Sequence, residues 1–201
     1  MKIFSNSLTP KSASALLVST IVPRPIAFVT SLDANHHINA APYSFFNAIT
    51  GNPPLIMLAV GQKRNQKKNT SSNILRSEEF AVNLVDHKLL EGMEHSTGNY
   101  GTDDDTIERT KIHFLPGEKI KVPSIAEAPI VLECVLYQHF EIGNEPADVI
   151  IGEVVVFNIK DELLTNGILD EKKFHPIASV GENSYNRIEN LFRLQTEKLE
   201  S

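Results

Sequence analysis

The sequence from Pro23 to Pro54 reads PRPIAFVTSLDANHHINAAPYSFFNAITGNPP, and the fold of the rest of the chain depends on it. Two runs within it, Pro25–Ser31 and Ile38–Pro42, have the composition of strands. The residues between them include Asp33 and Asn35, whose side chains favour tight turns. Two strand-like runs around a polar turn predict a β-hairpin.

The second arm of this hairpin leads into a short polar segment, which we call the platform. Its residues are Asn39, Ala40, Ala41, Pro42, Tyr43 and Ser44. Small side chains beside a proline leave backbone N–H groups uncovered and close to anything that lies on them. Asn39 and Ser44 add side-chain donors at the two ends. Taken alone, the pattern fits an ordinary strand and turn; with the basic segment described next, it favours a flat polar ligand.

A basic segment follows the next apolar run of the chain. Its cationic residues are Lys63, Arg64, Lys67 and Lys68. The polar run after them predicts a short helix from about Thr70 to Arg76, with Asn69 or Thr70 as its N-cap. Free N–H groups at a helix start, together with hydroxyls and ammonium groups, favour a bound phosphate. A flat polar head with a phosphate tail suggests a mononucleotide cofactor.

At these residues the chain resembles the flavin reductase-like family of FMN-binding split β-barrels, which includes the flavoredoxins. The matching motifs are Arg24-Pro25, Thr30-Ser31, the platform with Phe45-Phe46, Pro53-Pro54, Lys68-Asn69-Thr70, Asn73-Ile74 and Phe80-Ala81-Val82-Asn83-Leu84. The likeness then thins, and Gly152-Glu153-Val154 and residues 181–185 fit the family's later half only loosely. The resemblance implies FMN as the cofactor.

The ring of FMN is expected to lie on the platform. Backbone N–H groups of the platform, with the side chains of Asn39 and Ser44, are the predicted ring contacts. Donors of this kind, aimed at the N1 and C2 carbonyl edge, stabilise a reduced flavin. Thr30 and Ser31 are expected to contact the ring or the ribityl chain, and Arg24 is a further predicted flavin contact.

The phosphate of FMN is expected at the basic segment. The predicted phosphate ligands are Lys68, Asn69 and Thr70, with Arg64 as a helper. The family usually has aspartate where this chain has Asn69, and the exchange removes a negative charge near the phosphate. A second departure lies at residues 178–182, where the family more often carries an arginine and a glycine pair, so a role of this segment at the cofactor is not expected.

Further apolar runs predict the remaining strands. They are Leu55–Val60, Phe80–Val85, Ile130–Ile142 and Val149–Ile159. In Ile130–Ile142 apolar and polar residues alternate, which predicts an antiparallel strand with one face in water. Gly152 is expected to mark a bulge or bend. About six or seven strands with short helical inserts, taken with the resemblance, predict a mainly β fold: an antiparallel, Greek-key-like, FMN-binding split β-barrel.

One domain spanning residues 1–201 is expected, since 201 residues with 41% hydrophobic side chains support a single core. Residues 1–22 form a leading segment without a signal-peptide cleavage pattern, and a helix of roughly Pro10 to Val18 is expected to pack on the barrel. A weaker helix is predicted at His87–Ser96. The tail, residues 170–201, is expected to dock on the barrel or on a second subunit, because Leu191, Phe192 and Leu194 are too apolar for a free end.

Composition excludes several other classes of protein. The formal net charge of −6 argues against general nucleic-acid binding, which needs a basic face. No apolar run approaches the roughly 20 residues of a membrane-spanning helix. The single cysteine, Cys134, forms no intrachain disulfide, so a cytoplasmic location is expected. The seven histidines lack the spacing of a metal site.

The predicted activity is that of an NAD(P)H:flavin oxidoreductase, in which hydride passes from NADH or NADPH to FMN and electrons pass on to an acceptor. The chain has neither G-x-G-x-x-G nor a P-loop, so the nicotinamide is expected to bind transiently, as a substrate. Free flavin, oxygen or a partner oxygenase are the candidate acceptors. The resemblance also implies a homodimer with its cofactor sites near the interface.

Three alternatives remain open at this point. In the first, the chain is an FMN-bearing electron carrier that is reduced by another protein and has no NAD(P)H turnover of its own. In the second, the chain is a pyridoxal-phosphate-type oxidase on a related barrel, because such an oxidase uses the same phosphate contacts. The last alternative is a structural barrel that binds no ligand.

Overall fold

The computed structural model describes residues 1–62, 66–96 and 111–193, and most of their regular structure is β. The strands are β1 (Arg24–Pro25), β2 (Ala27–Leu32), β3 (Ile38–Tyr43), β4 (Phe46–Gly51), β5 (Pro54–Gly61), β6 (Glu79–Leu84), β7 (Phe114–Leu115), β8 (Ser124–Ile125), β9 (Ile130–Ile142), β10 (Ala147–Ile159), β11 (Leu164–Thr165), β12 (Ile168–Leu169), β13 (Ile177–Val180) and β14 (Ser184–Arg187). The α-helices are α1 (Pro10–Thr20), α2 (Asn69–Ser77) and α3 (His87–Ser96), and 3-10 turns lie at Ser5–Ser7 and Asp161–Leu163.

The main sheet has seven strands in the order β3-β2-β6-β9-β10-β5-β4, and every neighbouring pair is antiparallel. Its first pair is the hairpin that the sequence predicts, and Asp33 Oδ1 holds the turn by accepting from the N–H groups of Asn35 and His37 at 2.8 Å. Strands β3 and β4 are the two edges of the sheet. The sequence did not predict β4, because five of its six residues are exposed and it has no apolar alternation.

Two hydrophobic cores lie on opposite faces of this sheet. The first contains Val29, Leu58 and Phe80 and is completed by Ile74 of α2. The second contains Phe28 and Ala81 and is completed by Leu89 and Met93 of α3, with residues from the segment before β9. Strands β2 and β6 therefore have no face in water, which explains why their sequences lack a regular alternation of apolar and polar residues.

Strand β9 has the predicted bounds, but the prediction of one face exposed to water is wrong for its first half. Glu133, one of the polar residues of this alternating pattern, is 1% exposed. Its two carboxylate oxygens accept from the backbone N–H groups of Glu118 and Lys119, both at 2.8 Å, and from Asn158 Nδ2 at 3.0 Å. These bonds satisfy a buried carboxylate that the alternation of residues alone would leave in solvent.

Gly152 marks a bulge, as predicted. The register between β10 and β9 shifts between Ile151 and Gly152, where Ile151 faces Gln138 and Gly152 faces Leu136. A Cβ on Gly152 would lie 2.4 Å from Cζ of the buried Phe80. The position therefore needs glycine, because the Phe80 ring occupies the space of any larger side chain.

The two ends of the chain only partly follow the predictions. Helix α1 begins at Pro10 after the Thr9 cap, as expected, but it ends two residues beyond Val18, and none of its residues is buried. Leu191 and Phe192 are exposed, so the prediction that they dock on the barrel is wrong; docking on a second subunit stays open. Leu194 lies outside the described residues. In the described part of the chain, no helix is long and apolar enough to cross a membrane.

A buried carboxylate ties the start of α2 to the β9–β10 hairpin. Asp148 has no exposed surface, and its Oδ1 accepts from Lys67 Nζ and lies 2.8 Å from His139 Nε2. Lys67 Nζ also reaches Glu141 Oε1 at 2.5 Å. Burial raises the pKa of the Asp148 carboxyl, but the hydrogen bonds from Lys67 and His139 outweigh it, so the pKa lies below its usual value.

This ion pair predicts a loss of stability in acid. A carboxyl whose pKa is lowered by folding stabilises the protein above the unfolded-state pKa of about 3.9, and that contribution disappears as the pH falls through the folded-state pKa. We expect Asp148→Asn to lower the free energy of unfolding at pH 7 by about 2 kcal/mol, because the hydrogen bonds of Lys67 and His139 to a charged acceptor are lost while Lys67 keeps Glu141. Below about pH 4 the difference in the free energy of unfolding between the variant and wild type should shrink.

Urea denaturation at a series of pH values from neutral to acid measures this difference. Glu145→Gln is the matched control, because it makes the same chemical change at an exposed position in the turn of the same hairpin. An Asp148→Asn variant that is as stable as the Glu145→Gln variant at pH 7 would contradict the account.

Candidate functional site

The first turn of α2 is hydrogen-bonded to the platform. Asn39 Nδ2 donates to Thr70 Oγ1 over 2.8 Å, and the Tyr43 hydroxyl donates to the same oxygen over 2.9 Å. The helical period turns Thr70, Asn73 and Ile74 toward the sheet, and all three are buried. The structure thus brings together the two stretches that the sequence assigns to the two ends of one ligand.

Helix α2 starts one residue earlier than predicted, with Lys68 as its N-cap in place of Asn69 or Thr70. Lys68 has extended backbone angles (φ −70°, ψ 155°) and its side chain does not cap the helix. The first intrahelical hydrogen bond of the helix runs from the Ser72 N–H to the Lys68 carbonyl. The N–H groups of residues 69–71 therefore have no acceptor within the helix, as at any helix start.

Positive charge is concentrated at this helix start. Lys68 is exposed, and its Nζ lies 5.4 Å from the centroid of the Tyr43 ring. Asn69 is exposed beside it and carries no charge of its own. Thr70 and Ser71 are buried, so Lys68 and Asn69 are the accessible residues of this helix start. The lysine, the Asn69 N–H and the positive end of the helix dipole form a suitable site for a phosphate. Arg64, the predicted helper, lies outside the described residues.

A cleft of about 410 Å³ extends from Lys68 along the end of the platform. Its walls come from α1, the end of β3, β5, α3 and the segment from β13 to β14. The platform contributes Pro42, Tyr43 and Ser44, and apolar or aromatic surface comes from Phe45, Met93 and Tyr185. A cleft of this size, with one charged end and walls that are about equally polar and apolar, has room for a small molecule.

Arg24 closes one wall of the cleft without presenting a donor to it. The side chain is 5% exposed, and all five guanidinium N–H groups donate within the protein. The acceptors are the Val18 and Ile21 carbonyls, Ser44 Oγ, Ser179 Oγ and the Gly181 carbonyl. The predicted direct flavin contact therefore does not fit this geometry, because Arg24 has no N–H left for a ligand.

Thr30 and Ser31 also do not reach the cleft. Both are fully buried in β2, and because successive residues of a strand point to opposite faces, they cannot contact one ligand together. Thr30 Oγ1 donates to the Pro123 carbonyl at 2.7 Å. Ser31 Oγ accepts from Asn39 Nδ2 at 3.3 Å, so its side chain orients the platform and does not meet a ligand.

The platform divides into residues that pack and residues that face the cleft. Ala40 and Ala41 pack on the second and the first core respectively, so only their backbone is open to a ligand. Asn39 is committed to Thr70 and Ser31. Pro42, Tyr43 and Ser44 are the platform residues that line the cleft.

Strands β13 and β14 contribute to the cleft, which was not predicted from the sequence. Strand β13 pairs with β1, which places Ser179 opposite Arg24, and the turn after β13 brings Gly181 and Glu182 to the cleft. The departure of residues 178–182 from the family pattern had argued against a role there. Arg24 and this segment lie more than 150 residues apart, so the contact could have been found only from the pairing of β1 with β13.

Two tyrosines of the cleft keep their protons. Burial raises the pKa of Tyr43, despite the hydrogen bond to Thr70. Burial also raises the pKa of Tyr185, and its hydrogen bond to Glu94 adds to the effect, which brings the pKa to about 12. Both phenols are therefore neutral donors near neutral pH: Tyr43 fixes the start of α2, and Tyr185 ties β14 to α3.

These residues fit a flat aromatic group with an anionic tail. The open start of α2 and Lys68 suit the tail, whereas Phe45, Met93 and Tyr185 suit the face of a ring. Ser44 supplies a hydroxyl between the two. FMN has this combination of parts, and its chemistry when bound is hydride and electron transfer.

Three solved structures share the fold. Nitrilotriacetate monooxygenase component B from Bacillus cereus is 34% identical, with 96% of this chain and 98% of that chain covered and a TM-score of 0.92. The 2-nitrobenzoate 2-nitroreductase of Pseudomonas fluorescens is 31% identical, with coverage of 100% and 98% and a TM-score of 0.90. A split-barrel structure from Shewanella frigidimarina is 19% identical, with coverage of 98% and 100% and a TM-score of 0.83, and it confirms the fold.

The family model of the flavin reductase like domain matches residues 18–178. The match includes the first hairpin, the platform, α2 and the whole seven-stranded sheet. It ends at the second residue of β13, next to the residues that accept from Arg24. The resemblance seen in the sequence is thereby confirmed, and the chain belongs to the flavin reductase-like family.

Proposed function

We propose that the chain binds FMN between the platform and the start of α2 and works as an NAD(P)H-dependent flavin oxidoreductase. The observation that carries the proposal is the pair of hydrogen bonds from Asn39 and Tyr43 to Thr70. They join a surface suited to a ring and a helix start suited to a phosphate. The position of the helix start relative to the platform is thereby fixed.

The phosphate end depends on charge and on open donors. The Asn69 N–H and the Lys68 ammonium would bind the phosphate oxygens. Thr70 is 1% exposed and its hydroxyl accepts from Asn39 and Tyr43, so it fixes the helix start and does not itself reach a ligand, unlike the prediction from the sequence. Asn69 in place of the usual aspartate keeps a negative charge away from the phosphate. Lys67 is held by Asp148 and Glu141, so its ammonium is a support of the loop and not a ligand.

The ring end depends on shape and on fixed donors. Phe45 and Met93 supply apolar surface, and Tyr185, held by Glu94, closes one side. Ser44, oriented by Arg24, supplies a hydroxyl at the ring edge. The nicotinamide would enter the same cleft transiently. A flavin ring lying against these side chains would have fixed donors beside it, and the bound flavin would supply the hydride chemistry.

The comparisons support a flavin-related oxidoreductase and suggest two classes of electron acceptor. One relative is named as a monooxygenase component, which favours a partner oxygenase that receives its electrons from this chain. The other is named as a nitroreductase, which favours direct reduction of a small nitroaromatic compound in the cleft. A cytoplasmic location belongs to the same proposal; its support is the single thiol, Cys134, which is buried and whose pKa burial raises.

FMN binding should depend on the start of α2. A hydrogen bond to a charged group contributes about 1.5–3 kcal/mol, so Lys68→Ala with Thr70→Ala should weaken FMN binding by roughly 100-fold. Fluorescence titration of FMN with the apoprotein measures the dissociation constant. Lys172→Ala, at another exposed lysine, is the control for charge, and Thr70→Ser is the control for the buried hydroxyl. A double variant that titrates like wild type would show the phosphate assignment to be wrong.

Hydride transfer should be visible directly. Anaerobic addition of NADH or NADPH to the FMN-loaded protein should bleach the flavin absorption faster than either bleaches free FMN, because the cleft holds both rings in contact. In air, either nicotinamide should then be oxidised steadily with added FMN. Bound FMN that neither nicotinamide reduces would contradict the oxidoreductase proposal and favour the electron carrier.

We also propose a homodimer whose interface includes the tail. The support is that Leu191 and Phe192 are 50% and 85% exposed, which is unusual for adjacent large apolar residues. Sedimentation equilibrium should give the mass of two 22.3 kDa chains. Leu191→Ser should shift the equilibrium toward monomer, whereas Leu115→Ser, at a leucine of similar exposure on β7, should not. A wild-type monomer at micromolar concentration would refute the dimer.

A further inference from the structure

The guanidinium of Arg24 is a buried positive charge, and the oxygens that accept its five hydrogen bonds are all neutral. Three of its acceptors are backbone carbonyls and two are the hydroxyls of Ser44 and Ser179. Within residues 1–62, 66–96 and 111–193, no carboxylate forms an ion pair with it; Glu182 lines the same cleft but is exposed. Buried charges in proteins are ordinarily paired with an opposite charge. This guanidinium is hydrogen-bonded throughout, but no carboxylate among the described residues neutralises its charge.

The two serine hydroxyls transmit this charge toward the cleft. A hydroxyl has one hydrogen and two lone pairs, and each serine oxygen here uses a lone pair to accept from Arg24, at 3.2 Å for Ser44 and 2.8 Å for Ser179. Each hydroxyl hydrogen is therefore left to donate. Neither has an acceptor in the described part of the chain, and both serines line the cleft. Hydrogen bonds that run from a cation through a hydroxyl strengthen the hydroxyl as a donor.

We propose that Arg24 acts through Ser44 and Ser179 to stabilise negative charge on the reduced flavin, so that the site binds the reduced cofactor more tightly than the oxidised one. The inference rests on the proposed function, because it needs the flavin ring in this cleft. Reduced flavin carries its negative charge along the N1 and C2 carbonyl edge, and two hydroxyl donors suit that edge. The other anionic group of the cofactor, the phosphate, is served at the opposite end by Lys68 and α2. Arg24 is thus a positioning residue, since it touches the hydroxyls and not the cofactor.

The position of Arg24 explains why an arginine is needed. Its guanidinium joins the end of α1, the end of the platform and β13, and only a planar group with five N–H donors satisfies all five acceptors at once. A lysine at this position keeps the charge but donates at most three hydrogen bonds. The serines are the part of the arrangement that can be changed with least disturbance, because replacing serine by alanine removes a single oxygen.

The test compares dissociation constants of oxidised FMN and of chemically reduced FMN, both measured anaerobically. The quantity of interest is the ratio of the oxidised to the reduced constant, because a purely structural defect weakens both forms alike and leaves the ratio unchanged. We expect Ser44→Ala with Ser179→Ala to lower this ratio about tenfold, since donors to a charged acceptor are worth more than donors to a neutral one. The matched control, Ser44→Thr with Ser179→Thr, keeps both hydroxyls and should keep the ratio.

Variants of Arg24 complete the test. Arg24→Gln should lower the ratio at least as much as the double alanine variant, and Arg24→Lys, which retains the charge, should restore part of it. A ratio that stays at the wild-type value in the double alanine variant would overturn the inference, even if the Arg24 variants fail to fold. Wild-type protein that binds neither form of FMN would refute the proposed function itself, which is a different and distinguishable outcome.

Discussion

The hydroxyl of Thr70 is the contact on which the site depends. It accepts from Asn39 and from Tyr43, so the first turn of α2 cannot move relative to β3 without breaking buried hydrogen bonds. Ser31 and Asn73 extend this hydrogen-bond network, because Ser31 Oγ accepts from both Asn39 and Asn73. A helix start and a sheet edge, which are separate features in the sequence, thereby form one rigid surface. The ligand meets positions that are already set before it binds.

The positive charge at this surface is local and differs in sign from the net charge of the chain. The chain as a whole has a formal charge of −6, yet the cleft has Lys68 at one end and the guanidinium of Arg24 in one wall. Asp148 and Glu141 are engaged by Lys67, the residue before Lys68, and Glu182 is an acidic residue of the cleft lining. A positive site in an acidic protein suits a small anionic ligand and not a nucleic acid.

Much of the fold could be predicted from the sequence, because hairpin turns, apolar runs and helix caps are local signals. The bounds of β9 and α3, the bulge at Gly152 and the contact between platform and basic segment all followed from such signals. Features that depend on pairing between distant strands could not be predicted. Thr30 and Ser31 were predicted as ligands, but β2 is an inner strand of the sheet. Glu133 was predicted to face water because alternation does not show that the segment before β9 covers this face and donates to its carboxylate. Arg24 looked like a ligand contact for the same reason, since its acceptors on β13 are remote in sequence.

The central claim is that residues 39–44 and the start of α2 bind the two ends of one FMN molecule. A crystal structure of the protein soaked with FMN tests it most directly. We expect phosphate density within hydrogen-bond distance of Lys68 and the Asn69 N–H, with the ring in the cleft beside Ser44. Density for the phosphate elsewhere, or a cleft filled by the chain itself while FMN is present in excess, would contradict it.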